Sequence, residues 1–242
     1  MYMSAAHTSG PRRDGSARSS AVGPLCLAGL CVGALALTWV VAALVPATHV
    51  KDAVALYDFT LIGGPRLDDL MNGLLHLLDP GLYTLWAALL VVVALLRRRP
   101  RVALAITLVL SLAPLSAETL KPLLAHPHAR IGVSEVTAAS WPSGHATAAT
   151  VLVLCAILVA PRRLRPLVAA LGAAFAAAVG VSLLILAWHL PSDVLGGYLL
   201  GTLWMALALA GLRAADARSR SRRLRSSPLA APAARGVGAG VP

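Results

Sequence analysis

The chain is short of charge. Of its 242 residues only 13% are Asp, Glu, Lys or Arg. A soluble domain carries about 25%, so a fully water-facing surface is excluded. Acid is the scarcer sign, with 10 Asp and Glu against 21 Lys and Arg. Cysteine is nearly absent. Cys26, Cys31 and Cys155 all lie inside apolar runs, and no Cys-x-x-Cys pair exists. That argues against a disulfide framework and reads the three as small buried apolar residues. There is no dense carboxylate cluster either, so no metal and no other cofactor is expected. No internal repeat of convincing length exists.

What is present is apolar. Hydrophobic residues make up 58% of the chain, and its mean hydropathy is +0.76. Six apolar runs, at about residues 21–45, 81–96, 102–120, 145–160, 167–188 and 194–212, are separated by short polar or proline-broken segments. The fold class this implies is all-α: a polytopic membrane protein, a six-transmembrane-helix bundle. The first run follows a basic start, as in a signal peptide, but at about 25 residues it is too long for an h-region and reads as an uncleaved span. The expected division is a disordered N-terminal segment over 1–20, a membrane domain over 21–212 and a basic, disordered tail over 213–242.

The net charge of +11 raises nucleic acid as a partner. The basic residues fall instead in short clusters between apolar runs, the mark of membrane orientation. Seventeen of the 21 Lys and Arg lie in the N-terminal segment, residues 97–101, residues 162–165 and the tail; Lys51, Arg66, Lys121 and Arg130 lie on the other side. The positive-inside rule therefore puts both termini in the cytoplasm. It makes the chain a multi-pass protein of the cell membrane, with membrane lipids as partners and the tail adhering to anionic lipid. Segment 46–80, loop 121–144 and the turn between the fifth and sixth runs then face outward. No feature sets an oligomeric state.

Within the outer segments, residues 69–78 read as a short helix lying at the interface. His76 on it is an interface residue rather than a ligand. Gly29 with Gly33, and Gly197 with Gly201, have the spacing of close helix packing. Glu118, near the end of the third run, is ionisable at the membrane edge, and a functional and a merely water-facing role weigh equally.

Three polar sites fall on the outer side. The first is Lys121. The second is Trp141-Pro142-Ser143-Gly144-His145, at the start of the fourth run. Ser143 is a good N-cap, and a helix starting there offers unpaired N–H groups and the positive end of its dipole to an anion. Alone, such a cap with a histidine is mostly bland. The third is His189-Leu190-Pro191-Ser192-Asp193. Pro191 suits a first helical turn, which leaves a carboxylate four residues from an imidazole. An imidazole held by a carboxylate presents its other nitrogen as nucleophile or base. A second histidine can serve as general acid, and a lysine with a helix N-terminus can stabilise a phosphoryl group in transfer.

Over residues 70–210 these motifs resemble the type 2 phosphatidic acid phosphatases. Pro142-Ser143-Gly144-His145 looks like the family's central motif. Ser182 through His189 to Asp193, with Val194, Leu195 and Gly196, matches the spacing of its third, and Lys121 fits the lysine that opens its first. The resemblance implies a metal-independent phosphatase acting on a lipid phosphate or lipid diphosphate through a phosphohistidine. It implies His189 as nucleophile, Asp193 as its orienting partner, His145 as acid, and Lys121, Ser143 and Gly144 as phosphate holders.

Two arginines of the family pattern are missing. Seven residues after Lys121 stands His128, followed by Ala129 instead of proline, and the third motif opens Ser182-Leu183 instead of Ser-Arg. A guanidinium grips phosphate in a bidentate fork that neither His nor Leu copies. Arg130, and His128 as a protonatable contact, are the candidates for the first position; nothing nearby replaces the second. This motivates an alternative from another class: a catalytically weak or inactive member that binds phospholipid headgroups or a membrane partner. A transporter is weaker, because the chemistry clusters at one face. His126-Pro127-His128 invites a metal reading that lacks further ligands.

Overall fold

The structure is a computed structural model. It describes residues 15–127, 129 and 136–225. Among them there are eight helices and no strand: α1 (Gly15–Leu44), α2 (Pro46–Thr60), α3 (Pro65–His76), α4 (Pro80–Leu96), α5 (Pro100–Leu123), α6 (Gly144–Val159), α7 (Arg165–Ile185) and α8 (Pro191–Arg225). Proline sets most of the boundaries. It occupies the first or second position of α2, α3, α4, α5 and α7, and α8 opens on Pro191. There its missing N–H is one the helix start would leave unpaired anyway.

Each apolar run falls on a helix. Among the described residues, four stretches are long and apolar enough to cross a bilayer: residues Ala21–Leu44 of α1, α5, α7 and Pro191–Arg222 of α8. The 81–96 run, read above as a span by itself, lies on α4, which qualifies only together with α3 across a 49° bend. α6, with 16 residues, is about 24 Å long at about 1.5 Å per residue, less than the roughly 30 Å of a hydrocarbon core. The outside of the bundle is apolar: Leu30, Leu37, Leu89, Leu104 and Leu171 are all exposed. An apolar exterior of this extent suits lipid, not water. The chain is a polytopic membrane protein.

α6 is the centre. It packs against α4, α5, α7 and α8, and Ala146, Thr147, Ala149, Val151 and Cys155 on it are fully buried. Its approach to α8 depends on two glycines. A Cβ on Gly197 would lie 2.5 Å from the Ser143 carbonyl oxygen, and one on Gly201 would lie 2.8 Å from Thr150 Cβ. Gly29 and Gly33 differ from the packing expectation: a Cβ on either would meet open space.

Two further differences concern polar segments. The 46–80 segment holds α2 as well as the helix expected near 69–78, which is α3. α8 does not stop near residue 212, as the arginine-rich composition suggested, but runs to Arg225. Ala, Leu and Arg are strong helix formers, so the apolar part of α8 propagates through them. At this end of the bundle Arg101 pairs with Asp216 at 3.3 Å, and Arg97 Nη1 donates to the Val159 carbonyl at 2.6 Å. Arg97 therefore caps the C-terminus of α6, opposite the end where Ser143 and His145 lie.

Candidate active site

α6 starts as its sequence suggests. Ser143 is the N-cap, with extended backbone, and its Oγ accepts from Ala146 N at 3.4 Å. Ser143 is fully buried. Gly144 is the first helical residue and His145 the second. The absence of a side chain on Gly144 lets α5 come close: a Cβ there would lie 2.6 Å from Glu118 Oε1 and 3.8 Å from Lys121 Nζ. Lys121, on the last turn of α5, donates to Glu118 Oε1 at 2.7 Å. A cleft of about 410 Å³ opens here, lined among others by Asp79, Glu118, Lys121, Gly144 and His145.

The second half of the site sits on the turn from α7 into α8. Trp188 N and His189 N donate to the Leu183 carbonyl at 2.9 and 3.4 Å, which folds the chain back over the end of α7. α8 then begins at Pro191 and carries Asp193 in its first turn. Asp193 Oδ2 reaches back to accept from Leu190 N at 3.0 Å and from His189 Nδ1 at 3.3 Å. A carboxylate at the third helical position satisfying the N–H before the helix is the reciprocal half of a capping box. Asp193 is fully buried and His189 nearly so. With Nδ1 turned to the carboxylate, Nε2 is the ring nitrogen left for chemistry.

One backbone bond ties the halves together: Ser143 N donates to the Asp193 carbonyl at 3.0 Å. The start of α6 is thus fixed to the first turn of α8. His145 packs edge-on against Trp188, with ring centroids 5.7 Å apart. It lies within electrostatic reach of both His189 and Lys121. His189 itself is not among the lining residues of the 410 Å³ cleft; its link to the cleft runs through His145 and the Trp188 ring. So His189, Asp193, His145, Lys121, Ser143 and Gly144 meet at one end of the bundle.

The PAP2 superfamily model matches residues 100–216, the stretch from the start of α5 into α8 that carries every one of these side chains. This stretch of the chain belongs to the PAP2 superfamily. A solved structure with a similar fold is the transmembrane PAP2-type phosphatidylglycerolphosphate phosphatase from Bacillus subtilis, at 21% identity and a TM-score of 0.64 over 85% of this chain and 98% of that one. No curated protein matches the chain.

Against the PAP2 pattern, the arginine positions stand as follows. His128 and Arg130 lie outside the described residues. Leu183 is fully buried in the main apolar core with Val179 and Leu184. Its backbone serves the His189 turn while its side chain serves packing. Glu118 is the partner of Lys121. Sequence reasoning missed Asp52 and Ser192. Asp52, on α2, accepts from Ser192 N at 3.2 Å and from Ser192 Oγ at 2.5 Å, directly beside Asp193. No local pattern announces a contact between residues 140 positions apart.

Proposed function

We propose that the chain is an integral-membrane phosphatase that hydrolyses a lipid phosphate or lipid diphosphate monoester at the extracytoplasmic face of the cell membrane, without a metal. The observation that carries this reading is the buried His189–Asp193 pair bonded through the Asp193 carbonyl to the N-terminus of α6. A nucleophile and an anion cradle are thereby held together.

In the first step His189 Nε2 attacks phosphorus and the bond to the lipid oxygen breaks. His145 gives its proton to that oxygen, so the lipid alcohol (or, from a diphosphate, the lipid monophosphate) leaves. Asp193 stabilises the positive charge on the phosphorylated ring through Nδ1–H. In the second step water attacks phosphorus, the N–P bond breaks, His145 takes the water proton, and inorganic phosphate departs with His189 restored. Lys121 and the free N–H groups of α6 hold the equatorial oxygens in both steps. Six crossings, with both termini cytoplasmic, would put the site outside. The arginine cluster at the opposite end of α6 supports that sidedness. Phosphatidylglycerol phosphate, for which the Bacillus enzyme is named, is one substrate to include, beside phosphatidic acid and isoprenoid diphosphates.

The test is phosphate release by purified protein in detergent with a chelator present. Turnover is expected for wild type, and His189→Ala is expected to lower it about a thousandfold or more. Unchanged turnover in that variant sinks the assignment. The second reading, a weak or inactive headgroup-binding member, is favoured by Leu183 filling an arginine position and by Glu118 already occupying Lys121. Lipid binding with no turnover across the panel would select it.

A further inference from the structure

α2 lies outside the stretch that the PAP2 superfamily model matches, yet it reaches the active end of α8. The Asp52 carboxylate grips Ser192 with both oxygens: Oδ1 takes the backbone N–H at 3.2 Å and Oδ2 takes the hydroxyl at 2.5 Å. Ser192 is the residue between Pro191 and Asp193 in the first turn of α8. The N–H groups there have no partner within the helix, and the positive end of the dipole faces them. A half-buried carboxylate is costly to keep. Burial pushes the Asp52 carboxyl above its ordinary range, and the nearby Asp193 charge adds to that push, while the Ser192 bonds and His126 oppose it.

Asp52 does not touch the proposed reaction. It lines a separate cleft of about 510 Å³ with Thr48, Lys51, Pro191 and Ser192, and no residue of that cleft is shared with the one holding His145. What Asp52 can do is fix the turn that carries Asp193. The margin is small: His189 Nδ1 and Asp193 Oδ2 stand 3.3 Å apart, at the long edge of an N–H···O bond whose usual length is about 2.9 Å. A displacement of the first turn by a few tenths of an ångström breaks it.

We infer that Asp52 is a positioning residue for the His189–Asp193 pair, acting through its two hydrogen bonds to Ser192. Its effect on rate rests on the phosphatase reading; its effect on His189 does not. The experiment therefore has two readouts on wild type, Asp52→Asn, Asp52→Ala, Ser192→Ala and the Asp52→Ala/Ser192→Ala double variant. One is the His189 imidazole signal in isotope-labelled protein by NMR, assigned with His189→Ala. The other is kcat and KM on phosphatidic acid in mixed micelles.

In Asp52→Ala the His189 signal is expected to lose its Nδ1–H hydrogen-bond signature. Its kcat is expected to fall about tenfold with KM within about twofold. Asp52→Asn, which keeps an oxygen for the Ser192 N–H and a group for its hydroxyl, is expected to stay close to wild type. The double variant is expected to match Asp52→Ala, because the two residues act through one contact. An unchanged His189 signal in Asp52→Ala overturns the inference, whatever the turnover. If Asp52→Ala fails to fold, Asp52→Val, which also lacks both acceptor oxygens, takes its place, and an unchanged signal there overturns it. Wild type without turnover defeats the phosphatase reading alone, and the NMR result still decides the role of Asp52.

Discussion

His189 has two ring nitrogens, and Asp193 commits one of them. The proposed reaction uses the other. Around that pair the polar residues sort by what holds them. Ser143 and Asp193 are fixed by their own backbone surroundings, whereas Lys121 is held only by an exposed carboxylate. Leu183 is the residue where family pattern and structure part. Its side chain has no exposure and packs within the apolar core. Leu183→Arg is therefore expected to bury a guanidinium without a partner and to destabilise the protein by about 3 kcal/mol or more, read by thermal melting in detergent. Raised turnover with unchanged melting would show the position to be open to the site. Asp52 gives a pH effect. Its carboxyl titrates above the ordinary 3.8, chiefly because of burial, with the Asp193 charge adding to it. The folded state then holds this proton more tightly than the unfolded one. The stability it contributes is present below pH 3.8 and is lost as pH rises through the folded-state value. Asp52→Asn is expected to flatten that decline in a series of melts across the acid range; an identical slope in wild type and variant contradicts it.

At the scale of elements, the site is the junction of α6 and α8, and glycine makes the junction. Gly197→Ala is expected to push the Ser143 carbonyl, 2.5 Å from the new Cβ, at a cost of about 1–3 kcal/mol. Because Ser143 N is bonded to Asp193 O, turnover is expected to fall further than stability does. Gly211→Ala is the control. A Cβ there meets nothing, and replacing a helical glycine is expected to stabilise by about 0.5–1 kcal/mol. Equal melting and equal activity in the two variants would count against the junction. Much of this was legible in the sequence because it is local. The Ser143 cap, the four-residue step from His189 to Asp193 and the Gly197–Gly201 edge are each written within one helical turn or two. Lys121 came from its place at the outer end of the third run, and then from motif resemblance, and the structure sets it beside Gly144. What escaped was non-local or ambiguous. α2 has an acidic, weakly amphipathic sequence that reads as loop. Its Asp52 finds Ser192 140 positions away. The small-residue spacing of Gly29 and Gly33 had no neighbour to serve.

Over the whole molecule, charge and chemistry lie at opposite ends. Arg97, directly after α4, closes the C-terminus of α6, while its N-terminus holds Ser143, Gly144 and His145. An apolar exterior joins the two ends. This is the layout expected of a protein that leaves a lipid tail in the bilayer and works on the headgroup at the surface. The α3–α4 bend of 49° brings Asp79 and Tyr83 to the same cleft as His145, so the outer helices wall the site laterally. The central claim is that phosphate passes through His189, and it is tested most directly by trapping the intermediate. Protein turning over a lipid phosphate would be quenched in alkaline detergent, which preserves phosphohistidine, and its peptides read by mass spectrometry. Phosphate is expected on the peptide containing His189, absent from His189→Ala and enriched in His145→Ala with an activated leaving group. Phosphate release with His189 unmodified, or the same label in His189→Ala, would contradict it.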